Sequence, residues 1–337
     1  MRKSVEIQLT VSNHVPKYRQ IIDSINHSIS TGVFVKGDKI PSLNELCKTH
    51  NLSQDTVLMA YNELKARGII TSSIGKGYFV ANTQIEGNHN VFLLFDKLNA
   101  YKEILYESFK DSFKNKGSVQ IFFHYNNQKV YRSLIQSSVG EYSEYVIMPM
   151  DDKESVSVLA LLPKNKIFIM DVGRNLIKGA YPCVCQDFEN DIYRVFKKHE
   201  HLVSKYHRLV LITKNTRLHY KEIARGFRDY CKQRPINYII AGSVNEIEIC
   251  RGDAFVLVDD HDLVTIVKQA KEKKLLPGTD LGIISYNESP LKEIIAEGIT
   301  TISIDFHQMA VSMTDMILNG KKQKIDNPFL FTMRNSF

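Results

Sequence analysis

Residues 36–80, KGDKIPSLNELCKTHNLSQDTVLMAYNELKARGIITSSIGKGYFV, decide how the amino-terminal part of the chain folds. Ser42 stands before an apolar-periodic run and Glu45 follows three residues later. Serine and glutamate in that spacing form a capping box, each side chain taking a backbone N–H of the other, and predict a helix over Leu43–His50. Asn51-Leu52-Ser53 breaks the run, and Ser53 is placed to cap a second helix from Gln54 to about Arg67. On that helix Val57, Ala60, Tyr61 and Leu64 recur at i, i+3, i+4 and i+7 and form a buried face. Gln54, Asp55, Thr56 and Met59 are left facing outward. Gly68 supplies the stop. Ile69–Val80 reads as two short strands around Gly75-Lys76-Gly77, a tip whose glycines let the backbone approach a partner closely. Two helices and such a hairpin make a winged helix-turn-helix.

Pro16 and Tyr18 at the opening of a preceding helix, Gly32, Gly37-Asp38, Ile40-Pro41-Ser42, Leu46, Ser53, Thr56-Val57, Leu64, Gly68 and the run from Gly75 to Val80 form a spaced pattern. Over residues 16–80 it resembles the DNA-binding head of the GntR family of bacterial transcription regulators. The resemblance implies DNA contacts at Asn44, Ser53, Gln54, Asp55, Thr56, Lys76 and Gly77. The chain departs from the family pattern at Asn44, Gln54 and Leu58, where arginine is usual, and at Lys76, which replaces the arginine of the wing. Fewer guanidinium groups mean fewer bidentate contacts to phosphate or guanine. The Gln54 amide matches an adenine edge and points to an A·T-rich site.

The charge distribution agrees. The 337 residues carry a net +7, and residues 1–80 hold ten Lys/Arg against six Asp/Glu. More than half of the excess therefore sits in the small head, where phosphate would be met. The five cysteines are odd in number and form no disulfide framework, as suits a reducing cytoplasm. Cys183 and Cys185 share a strand face and read as packed thiols. Met1-Arg2-Lys3 is not followed by an apolar stretch of signal-peptide type, and the longest apolar run, Val156–Leu162, is too short to span a bilayer. The reading is a soluble cytoplasmic protein with no membrane partner.

Ala81–Asn90 (ANTQIEGNHN) has no sustained apolar pattern and reads as a linker between a head of residues 1–80 and a second domain over 91–337. In the second domain, short runs rich in β-branched and aromatic residues recur: Val91–Phe95, Val119–Phe123, Tyr145–Met148, Ile167–Met170, Leu209–Ile212, Tyr238–Ala241, Phe255–Val258, Leu281–Ile284 and Ile299–Ile304. Helical patterns lie between many of them, as in Tyr101–Phe113. Continuous apolar strands alternating with helices imply parallel sheets covered on both faces. The expected class is α/β: a winged helix-turn-helix followed by a doubly wound parallel-sheet domain, in one large sheet or two lobes.

Ligands of open α/β sheets bind outside the carboxyl ends of the strands. Those ends carry Asp96, Asp151, Asp171, Asp259-Asp260, Asn287 and Asp305-Phe306. Carboxylates and amides with aromatic neighbours suit a polyhydroxylated ligand, although any one strand-end aspartate is as readily a helix cap. Phe168–Gly173, Arg225-Gly226-Phe227, Val258-Asp259-Asp260, Ser285-Tyr286-Asn287 and Thr300–Phe306 together resemble the two-lobed effector domain of LacI-type repressors and periplasmic sugar-binding proteins. That resemblance implies effector contacts at Asp96, Tyr101, Asp171, Asp259, Asn287 and Phe306. It also implies a basic contact, for which Arg174, Lys221 and Arg225 are the candidates.

The two resemblances together imply a sugar-responsive repressor. It would bind a palindromic operator DNA as a homodimer and release it when a monosaccharide, fucose or arabinose, enters between the lobes. A regulator answering to an amino acid or nucleobase, and an enzyme with a DNA-binding head, are the alternatives. No GxGxxG, P-loop, GxSxG or HExxH occurs, and no metal, cofactor or catalytic residue is implied. Lys76→Ala should weaken binding to every DNA sequence and lower the slope of log affinity against log salt by about one. Gln54→Ala should instead relax preference at one base pair. Unchanged affinity and slope in both variants, measured by fluorescence anisotropy across a salt series, would remove these two residues from the DNA contact.

Overall fold

The computed structural model describes residues 7, 9, 15–83, 89–150, 152–172, 174, 177, 181–214 and 216–337. Three helices open the chain: α1 (Lys17–Ser30), α2 (Leu43–His50) and α3 (Gln54–Ala66). The capping box forms, with Glu45 N–H on Ser42 Oγ at 3.2 Å and Ser42 N–H on Glu45 Oε2 at 2.8 Å. Ser53 caps α3 through the Thr56 N–H at 3.3 Å. Gly68, at φ +67, ends α3 in a Schellman turn: Ile69 N–H reaches Leu64 O and Gly68 N–H reaches Lys65 O, both at 2.9 Å. Val57, Ala60, Tyr61 and Leu64 are fully buried against Ile21, Ile22, Ile25 and Ile29 of α1. The wing is β1 (Ile70–Ser73) paired antiparallel with β2 (Gly77–Val80).

The rest of the chain forms two sheets of six strands each. In the first lobe β3 (His89–Phe95), α4 (Ala100–Phe113), β4 (Gly117–Phe123), α5 (Gln128–Ser138), β5 (Glu144–Ile147), α6 (Lys153–Val158), β6 (Ile167–Asp171) and β7 (Cys183–Cys185) follow in order. The second lobe takes α7 (Phe188–Lys198), α8 (Glu200–Val203), β8 (Arg208–Ile212), α9 (Leu218–Lys232), β9 (Asn237–Ala241), β10 (Asp253–Leu257), α10 (Asp260–Glu272), β11 (Gly282–Tyr286) and β12 (Thr300–Ile304). The chain then returns through α11 (Phe306–Leu318) and β13 (Lys324–Asp326) to the first lobe and ends with β14 (Phe329–Thr332) in the second. The sheet orders are β13-β7-β6-β5-β3-β4 and β14-β12-β11-β10-β8-β9, parallel throughout except for β14.

Both faces of each sheet are covered, as the apolar runs require. Val91, Leu93 and Phe95 of β3 pack with α4 and α11, whereas Phe92 and Leu94 pack on the opposite face with Tyr131, Ile135 and the buried Cys183 and Cys185. The lobes are joined by three crossings, between β7 and α7, β12 and α11, and β13 and β14. All nine anticipated runs are strands. Beyond those nine, the two sheets also contain the short strands β7, β13 and β14. The stretch read as a linker is shorter than anticipated, because β3 already starts at His89; residues 84–88 and Asp151 lie outside the described residues.

The head rests on the base of the first lobe. Glu63 of α3 pairs with Lys166 at 2.5 Å, and Lys65 pairs with Glu141 at 2.7 Å. No helix among the described residues is long and apolar enough to cross a membrane.

Candidate functional site

In each sheet the strand order reverses next to the first strand, between β3 and β5 in one lobe and between β8 and β10 in the other. The carboxyl ends at these switch points are where an open α/β sheet leaves a crevice. A cavity of about 260 Å³ lies there, bordered by both lobes. Asp96, Tyr101, Asp171, Asn287 and Phe306 line it. Three strand ends break in the left-handed region, at Asn126 (φ +55), Asp171 (φ +68) and Asn287 (φ +62), and all three residues face the cavity. Asparagine and aspartate tolerate that conformation better than other side chains, and such strained positions gather at ligand sites.

Asp171 is buried and holds a donor on each carboxylate oxygen. The Lys102 ammonium donates to its Oδ2, and Gln186 Nε2 donates to its Oδ1 at 2.5 Å. Burial alone would raise the Asp171 carboxyl, but the Lys102 charge and these two donors hold it below the usual range. The Gln186 Oε1 in turn receives the Tyr286 hydroxyl at 3.4 Å. Lys102 and Asp171 belong to the first lobe, Gln186 to a crossing segment and Tyr286 to the second lobe, so one polar chain spans the hinge. Lys102 also lies 3.8 Å from Asp96 and 5.6 Å from the Phe95 ring centre.

Asp96 Oδ1 and Asn287 Oδ1 are buried and accept no hydrogen bond among the described residues. Arg217, at the start of α9, places a guanidinium nitrogen 3.9 Å from Asp96 Oδ2. His124 sits under the cavity floor. Burial lowers its imidazole, and the neutral ring fits its contacts, with Nε2 on Met148 O at 3.3 Å and Nδ1 accepting the Asn126 N–H at 3.1 Å. Tyr101 and Phe306 stack with ring centres 5.1 Å apart and make an apolar wall.

Four anticipated contacts lie elsewhere. Asp259 caps α10 through the His261 N–H at 2.9 Å and pairs with Lys214 at 3.5 Å. Lys221 and Arg225 are one turn apart on the other side of α9, where Arg225 pairs with Glu189 at 2.7 Å. Arg174 bridges Asp326 and Asp187 beside the hinge. The cavity instead recruits Lys102, Gln186, Arg217, His219 and Tyr220, none of them anticipated. Arg217 comes earlier than the basic residues weighed because α9 offers the cavity its first turn, with His219, Tyr220 and Ile223 on the inner face.

In the head, Asn44, Gln54, Asp55 and Lys76 are exposed on one module, with Gly77 partly covered. Ser53 and Thr56 join hydroxyls at 2.8 Å, so the cap also fixes the Thr56 side chain. Ile74, wholly exposed at the wing tip, was not among the anticipated contacts.

Residues 17–80 match the model of bacterial regulatory proteins of the gntR family. The HTH-type transcriptional repressor YtrA of Bacillus subtilis is 34% identical over 99 residues, covering 29% of this chain and 72% of that protein. YdfD of Bacillus subtilis, an uncharacterized HTH-type transcriptional regulator, is 34% identical over 129 residues, or 38% of this chain; the chain spans only 25% of its length. The arabinose metabolism transcriptional repressor of Geobacillus stearothermophilus is 20% identical over 339 residues, with 92% of each chain aligned. Among solved structures, a dimeric Lac repressor superposes with a TM-score of 0.62 at 14% identity over 73% of this chain and 98% of that one. A LacI family regulator from Lactobacillus casei with bound glucose gives 0.59 at 13% over 74% and 99%. At these identities the likeness is one of fold.

Lys102→Met would strand the Asp171 carboxylate in the interior, at a cost of about 3–5 kcal/mol. Its melting temperature should fall sharply at pH 7, and Lys102→Met/Asp171→Asn should recover most of the loss. Because the Asp171 carboxyl is held low, its contribution is fully present above about pH 4, the unfolded value, and is lost as the pH falls below it. The gap between the native protein and Lys102→Met should therefore close on acidification. Equal melting temperatures at pH 7 would contradict the pair's role.

Proposed function

The chain belongs to the gntR family of bacterial regulatory proteins, and from that premise we propose a repressor of sugar-utilisation genes that releases its operator when a neutral monosaccharide enters the cavity between the lobes. The observation that carries the ligand class is the pair of buried acceptors, Asp96 Oδ1 and Asn287 Oδ1, one from each lobe and neither accepting a hydrogen bond among the described residues, with Lys102 Nζ 3.8 Å from the Asp96 oxygen. Leaving a buried acceptor unmet costs about 1–3 kcal/mol, and sugar hydroxyls are donors that would meet both. Arg217 and the Asn126 amide supply donors for ring and hydroxyl oxygens, while the Tyr101–Phe306 wall suits the C–H face of a sugar ring. Asp96, Asp152 and Asp171 equal Lys97, Lys102 and Arg217 in number. That balance offers no surplus of either sign to a charged ligand.

The names of the relatives support the same class, above all the arabinose metabolism repressor aligned over 92% of both chains. A ligand touching Asp96 and Asn287 would draw the lobes together about the three crossings. In a homodimer that rotation changes the separation of two heads on a palindromic operator, with a coupling of about 1–3 kcal/mol.

A thermal-shift screen of pentoses, hexoses and 6-deoxyhexoses, with amino acids and nucleobases as comparison sets, tests the reading. A sugar at 100 times its Kd should stabilise the protein by about 2.7 kcal/mol. Asp96→Ala and Asn287→Ala should each weaken that sugar about tenfold or more. A response confined to amino acids or nucleobases would replace the ligand class. An undiminished sugar response in both variants would place the ligand outside this cavity.

A further inference from the structure

The contact between α3 and the first lobe has an arrangement that chance proximity would not need. Glu63 reaches Lys166 at 2.5 Å and Lys65 reaches Glu141 at 2.7 Å; Glu63, Lys65 and Lys166 are partly shielded from solvent and Glu141 is exposed. The two pairs have opposite sense: the head supplies the acid in one and the base in the other. A head turned half-way round on the same base would set Glu63 against Glu141 and Lys65 against Lys166, two like-charge contacts. The pairs therefore select one orientation as well as one position.

Beside the Lys65–Glu141 pair the two surfaces are not packed together. A gap of about 450 Å³ separates Lys65, Gly68 and Ile70 of the head from Asn90, Phe92 and Gln120 of the lobe. No hydrophobic cluster among the described residues spans the contact, and the two ion pairs are its anchors. At Gly140 a Cβ would come 4.0 Å from Asn62 Cγ of α3. Gly140 has φ +79, a conformation that favours glycine. Lys166 immediately precedes β6 and Glu141 lies just ahead of β5. The anchors thus sit at the amino ends of the strands whose carboxyl ends lead to Asp171 and Met148 at the cavity, about 16 Å away along a five-residue strand. Gln54, Asp55 and Lys76 remain exposed.

We propose that the amino-end base of the first lobe is a docking surface for the chain's own helix α3, held by these two ion pairs as an orientation-specific, salt-sensitive latch. The head would then be carried by the first lobe as one body while its outer edge stays open. The inference stands on the contact geometry alone and needs neither the ligand nor the operator of the preceding section.

Zero-length carbodiimide coupling of the full chain, followed by peptide mass spectrometry, tests it. At low salt the native protein should yield the Glu63–Lys166 and Lys65–Glu141 cross-links, and both should fall several-fold in about 0.5 M NaCl. Lys166→Glu should lower the Lys65–Glu141 yield about two- to fivefold or more, since exposed pairs contribute modestly and a like-charge contact opposes docking. Glu63→Lys/Lys166→Glu should restore that yield, which a folding defect would not, and circular dichroism should show unchanged helix content in all variants. Absence of both cross-links in the native protein at low salt would overturn the latch. So would a Lys65–Glu141 yield indifferent to Lys166→Glu. Because no sugar or DNA is present, failure here leaves the regulatory reading untouched, and failure of the sugar screen leaves the latch untouched.

Discussion

A chain of polar contacts from Lys102 through Asp171 and Gln186 to Tyr286 is the constraint on which the cavity depends. Each member is buried, and in a medium of low dielectric a missing partner is costly, so the chain admits little slack. It fixes the first turn of α4, the end of β6, the first crossing and the end of β11 in one stroke. These are the segments that present Tyr101, Asp171 and Asn287. A buried ion pair is weak evidence for net stability. Its effect here is positional: each Asp171 oxygen already holds a donor, whereas Asp96 Oδ1 and Asn287 Oδ1 accept no hydrogen bond among the described residues.

That division explains which cavity-lining residues could be anticipated from the sequence. Asp96, Asp171, Asn287 and Phe306 follow apolar strand runs, and strand ends are easily located when the runs are continuous. Asp259 follows such a run too, but α10 begins at once and its backbone N–H groups claim the side chain. The two outcomes differ by local geometry: Asp171 and Asn287 turn into the left-handed region, whereas Asp259 keeps an extended backbone and caps. Lys102 looked like one more polar residue on an amphipathic helix. Its burial against Phe95, Met148 and Asp171 depends on how α4 packs on the strand ends. Arg217 and Gln186 come from a helix start and a crossing, places where spacing in sequence says little about direction in space.

The head was more legible because its rules are local. The capping box, the serine cap of α3 and the glycine stop each involve residues within four or five positions of one another, and each forms as the residue types require. The contact between head and lobe is the opposite case. Glu63 and Lys166 are 103 residues apart, and charged residues on an exposed helix are usually solvated. Nothing local marks them as partners. The first lobe thereby carries polar side chains at its carboxyl edge and the head at its amino edge, with β5 and β6 running between.

The proposed regulation makes cavity and head two ends of one equilibrium, and linkage demands that their influence be mutual. The most direct measurement is a calorimetric titration of the responding monosaccharide into the full chain, first alone and then saturated with a DNA duplex on which the protein has been footprinted. The account predicts that DNA weakens sugar binding by the same factor by which sugar weakens DNA binding, about 5–150-fold for typical couplings. Identical sugar affinities with and without DNA would contradict it.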